Sequence, residues 1–133
     1  MLNRHTLKQL RTEIGIDSLI ETIYSTAEKT AATRTDLAEL NKRVRDKEIA
    51  IENLEIPMLQ AVAENGNNET ERKAILNKLR AEDAEYQRVS NEHLDAKHHR
   101  DMVNADLENH ISRFSAQRHA CDLITATLNA SCE

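Results

Sequence analysis

Glycine occurs twice and proline once in 133 residues, tryptophan is absent, and Tyr24, Tyr86 and Phe114 make up the whole aromatic content. Strands draw on β-branched and aromatic side chains, and their connections draw on Gly, Pro, Asn and Asp. An all-β or α/β fold is therefore close to excluded. Two glycines cannot build a loop that cradles phosphates. No apolar run approaches the roughly 18 residues that a membrane span needs, and residues 1–15 lack the apolar core of a signal peptide. The two cysteines, Cys121 and Cys132, would stand about 16 Å apart on one helix, too far for a disulfide. A reducing, cytoplasmic location is expected.

Charged residues make up 31% of the chain, and the mix leans towards Ala, Leu, Glu, Lys and Arg, as in long helices. Leu7, Leu10 and Ile14 share one helical face, which predicts a short helix over 3–14. Gly15 is either its C-cap or a tolerated interior glycine. Asp17 and Ser18-x-x-Glu21 read as a capping box opening a first long arm over 18–64. The strongest break is Glu64-Asn65-Gly66-Asn67-Asn68, near the midpoint of the chain. There Asn65 or Gly66 is expected to be left-handed, and Asn68-x-x-Glu71 to cap a second arm over 69–130 after a turn at 65–68. Pro57 predicts a kink in the first arm. Each arm would be roughly 90 Å long.

Periodicity supports a hairpin. Stepping by seven from Ile16 reaches Ile23, Thr30, Leu37, Val44, Ile51 and Met58, with companions three residues later at Leu19, Thr26, Thr33, Leu40, Lys47, Leu54 and Ala61. Ten of these fourteen positions are apolar, a coiled-coil pattern. The second arm carries Ile75, Leu79, Tyr86, Val89, His93 and Ala96, then Arg100 through Leu128, at spacings of three, four and seven. A turn centred on Gly66 would set Val44 opposite Val89, Leu54 opposite Leu79 and Leu19 opposite Phe114. Leu7 and Leu10 would then cover Ile124 and Cys121. The expected fold is all-α, a long antiparallel two-helix coiled-coil hairpin with a short N-terminal helix.

Apolar residues also occur off this seam. Collected into a second stripe, Leu76, Leu94, Met102, Ile111, Ile20 and Ile49 would bind a partner, and self-association into a dimer or tetramer is expected. Thr26, Thr30 and Thr33 interrupt the apolar seam, either as a register-fixing layer or as a polar pocket facing residues 99–106. His93 and His110 lie on the seam, where charging the imidazoles would weaken association.

Other chemistries have little support. The chain carries 18 basic and 23 acidic residues, a net charge of −5, with no basic run of the kind that grips phosphates. Lys42, Arg43, Arg45 and Lys47 come nearest and define a nucleic-acid alternative. Asp95, His98 and His99, roughly opposite Asp36 and Glu39, define a metal alternative. Carboxylate-bridged metal bundles use Glu-x-x-His, which is absent, so no cofactor is expected. His119 and Cys121 are two apart and point to different helix faces, and no elbow presents a nucleophile. An enzyme is not expected.

Residues Gly66-Asn67-Asn68-Glu69-Thr70-Glu71-Arg72-Lys73-Ala74, Glu82-Asp83-Ala84-Glu85-Tyr86-Gln87, Leu107-Glu108 and Arg113-Phe114-Ser115-Ala116-x-Arg118 resemble a group of small helical proteins. These are encoded in bacteriophage and prophage clusters near recombination and replication genes. The resemblance covers about half the chain and carries no catalytic residues. It implies a phage or prophage setting, in which a protein-binding chain would act as an accessory or inhibitor of a recombination, replication or host-defence complex in the host cytoplasm.

Overall fold

The computed structural model describes residues 3–132. The side chains of Leu7, Ile14 and Cys132 lie outside the described residues, and with them part of the expected apolar face of the first helix and the expected cysteine separation. Four helices follow in order: α1 (Arg4–Ile14), α2 (Ile16–Asn65), α3 (Glu69–Glu82) and α4 (Ala84–Cys132). The fold is an all-α helical hairpin, with α2 packed against α4. No helix among the described residues is long and apolar enough to cross a membrane.

The junctions follow from local chemistry. Asn3 caps α1, its Oδ1 accepting from the Thr6 N–H at 2.8 Å. Gly15 ends α1 in the left-handed region at φ 72°, which side chains disfavour. Its carbonyl accepts from the Leu19 N–H at 2.9 Å, so α2 starts at once at Ile16. The capping box expected at Ser18 therefore does not open the helix. α2 continues through Pro57 without interruption. The ring is exposed, so water can take the carbonyl that loses its donor.

At the tip, neither Asn65 nor Gly66 is left-handed, which corrects the expected turn. Gly66 is needed for space: a Cβ there would meet Cγ of Arg72 and stand 3.0 Å from the Val62 carbonyl oxygen. Asn68 caps α3 by accepting from the Glu71 N–H at 2.9 Å, and Glu71 reaches back to the Asn67 N–H at 3.0 Å. The second arm is not one helix. Asp83 is extended (φ −88°, ψ 105°), ends α3, and caps α4 by accepting from the Tyr86 N–H at 2.9 Å.

The chain forms two compact units, one of Met1–Asp36 with Val103–Glu133 and one of Leu37–Met102. In the first, Ile16, Thr26, Thr30 and Leu107 are buried; in the second, Leu40, Val44, Met58, Val62, Val89 and Ala96 are. All fourteen seam positions expected on the first arm are buried or half-buried.

The register differs from expectation. Within the Leu37–Met102 unit, Glu48 lies 3.5 Å from His93 and Lys47 pairs with Glu92. Within the other unit, Ala27 and Thr30 line a groove with Ile111 and Phe114. Both sets are displaced by about one heptad from the pairing of Val44 with Val89 and Leu19 with Phe114. Heptads on both arms make such a slide invisible to the apolar pattern. α3, which has no buried residue, and the single extended residue Asp83 take up the difference near the tip.

Candidate functional site

Charged and polar side chains concentrate along the seam of the Leu37–Met102 unit. Glu55 Oε1 accepts from Arg80 at 2.9 Å and from the Tyr86 hydroxyl at 3.1 Å, while the Arg80 guanidinium lies 5.8 Å from the Tyr86 ring centroid. Arg88 bridges Glu85 at 2.6 Å and Glu92 at 2.7 Å. The hydrogen bond from Lys47 is the main influence holding the Glu92 carboxyl below its ordinary range. Burial opposes it, and Arg88 adds to it. Hydrogen bonds from Arg88 to Glu85 and then Glu92 raise the guanidinium above its own ordinary value. This network holds two arms in register.

It also divides the basic cluster. Lys47 is half-buried against Glu92, and Arg45 lies 3.5 Å from Glu48, leaving Lys42 and Arg43 exposed without an ion pair among the described residues. Arg43 and Lys47, four apart, share one helix face, and Lys42 and Arg45, three apart, share another. The four do not form one phosphate-binding surface. Arg43 and Lys47 line a groove with Glu92, Asp95, Ala96 and His99, so cations occupy the place where the metal alternative needs ligands. His98 does not line that groove. Among the described residues, no three His, Cys, Asp or Glu side chains form a group able to hold a metal ion.

The threonine stretch is also settled locally. Thr26, Thr30 and Thr33 donate their hydroxyls to the carbonyls of Thr22, Thr26 and Lys29 on their own helix, at 2.9, 2.7 and 2.8 Å. Their methyls are left to pack in the seam. The stretch 27–34 lies beside Ile111 and Phe114, in place of the expected residues 99–106.

Of the six expected partner-binding residues, Leu94 (61%), Met102 (58%), Ile111 (43%) and Ile49 (41%) are strongly exposed, while Ile20 and Leu76 are half-buried. They do not form one stripe. On α4, Leu94, Met102 and Ile111 fall at different heptad positions relative to the seam residues Val89, Ala96 and His110. On α2, Ile49 and Ile56 share the outward face, with exposed Leu59 close by. Tyr24 and Leu123 are exposed in the other unit. Sequence reasoning missed Arg34, which borders the groove with Ile111 and Phe114. The available signal was an arginine three and seven residues after Ala31 and Ala27. No family model, curated protein or solved structure matches this chain.

Proposed function

We propose that the chain is a non-enzymatic helical-hairpin protein that acts by binding other helical protein chains, copies of itself included as a dimer or tetramer. The observation that carries this reading is the exposure, among the described residues, of eight large apolar side chains outside the seam. Burying the part of each that is still exposed gains roughly 0.5–2 kcal/mol, and a partner helix provides that burial. In the setting implied by the resemblance to phage proteins, the chain serves as an accessory or inhibitor of a recombination, replication or host-defence complex in the host cytoplasm.

The test is a charge placed on the exposed apolar surface. Leu94→Glu is expected to leave helix content and melting temperature unchanged, because the side chain packs against little. It is expected to weaken association by about tenfold or more. A Leu94→Glu chain that associates as tightly as the unmodified one refutes this use of the surface.

A further inference from the structure

We propose that a second copy of this chain docks on the α2 face that carries Tyr24 and Arg34, in an antiparallel, two-fold symmetric contact. This rests on the self-association reading above and assigns contact between copies to a surface other than that of Leu94. Tyr24 is the most exposed large hydrophobic residue among those described, at 69%. It stands on the same unit as a groove of about 190 Å³ lined by Ala27, Thr30, Ala31, Arg34, Ile111 and Phe114. Tyr24, Ala27, Ala31 and Arg34 recur at spacings of three and four, so knob and groove share one helix face. Short alanine side chains leave the groove open beside the apolar wall of Ile111 and Phe114.

Charge identifies the occupant. Glu21 and Glu28 flank Tyr24 at three before and four after, on the side away from Ala27, and Arg34 stands ten residues after it on the Ala27 side. Among the described residues, none of the three charged groups has an ion-pair or hydrogen-bond partner. Glu21 and Arg34 lie about 20 Å apart along the helix, too far to pair with each other. A two-fold contact makes the same patch meet itself, so it must be self-complementary. In an antiparallel crossing centred between Ala27 and Glu28, Tyr24 of each copy meets Ala31 of the other. Glu21 of each copy then meets Arg34 of the other. Glu21 and Arg34 thus pair twice across the contact, while the two Glu28 side chains come together beside the two-fold axis. The patch is small for an interface, so the association depends on concentration.

The experiment is solution mass of the full chain by light scattering after size exclusion, from micromolar to near-millimolar concentration. The mass is expected to rise from the 15.1 kDa of one chain towards twice that. Tyr24→Ala and Arg34→Glu are expected to hold it at one chain with unchanged helix content, since both side chains are exposed. Combining Arg34→Glu with Glu21→Arg is expected to restore the dimer. A chain that stays monomeric throughout overturns the proposal, as does a double variant that fails to restore the dimer. A mass that responds to Leu94→Glu but not to Tyr24→Ala or Arg34→Glu also overturns it, while leaving the broader reading standing. If no variant, Leu94→Glu included, changes an oligomeric mass, both fail.

Discussion

At the residue scale, the two glycines serve different ends. Gly15 is required by its backbone, with open space where a side chain would go, whereas Gly66 is required by its neighbours. Gly15→Ala is expected to cost about 1 kcal/mol for a left-handed residue. Gly66→Ala is expected to cost about 1–3 kcal/mol, because Cγ of Arg72 and the Val62 carbonyl leave no room. Thermal unfolding of both variants checks the order; an equal or smaller loss at Gly66 would mean that Arg72 moves aside freely. Glu92 makes a second point. A carboxyl lowered in the folded state contributes stability above its unfolded value, roughly pH 4.3, and that contribution is lost as pH falls through the lowered folded value. Urea midpoints are expected to fall on acidification below about pH 4.3, and to fall less in Glu92→Gln. An identical acid profile in the variant would place the sensitivity elsewhere.

The element scale is where the second arm departs from its pattern. Heptad spacing runs from Ile75 through Leu79 to Tyr86 without a gap in the numbering, so periodicity alone reads a continuous helix. The interruption is instead written in one short polar side chain. Asp83 caps α4 through the Tyr86 N–H, and the Gln87 side-chain amide donates to the Arg80 carbonyl at 2.8 Å. Asp83→Ala is expected to lose about 1 kcal/mol, and Asp83→Ser to keep most of it. Equal melting temperatures for the two variants would show that the cap contributes nothing. At Pro57, where proline chemistry predicts a kink, α2 runs on as one helix with the ring exposed to solvent.

For the whole molecule, register is the decisive quantity. Lys47 is the one charged residue among the fourteen seam positions of the first arm, and its partner Glu92 helps select one of two heptad frames that apolar packing tolerates equally. With Cys121 and Cys132 replaced by Ser, Glu48→Cys paired with His93→Cys is expected to cross-link on oxidation. Val44→Cys paired with Val89→Cys is expected to remain reduced. The opposite result would establish the frame centred on Gly66. Exposed apolar side chains matter at the same scale: among the described residues the two-helix seam buries no large side chain completely, and further burial requires another chain.

Helix, hairpin and seam were legible in the sequence because each depends on spacing along one chain. Scarce Gly and Pro, the heptad positions from Ile16 to Ala61, and Asn68 with Glu71 at the tip all act locally or through a strict period. The break at Asp83 is a local cap that the apolar period does not mark, whereas the register, the pairing of Lys47 with Glu92 and the groove joining Ala27 and Ala31 to Phe114 were decided by tertiary structure. They depend on which residue of one arm meets which residue of the other. A repeating apolar pattern leaves that choice open to a slide of seven, and only the paired side chains of both arms, acting together, close it.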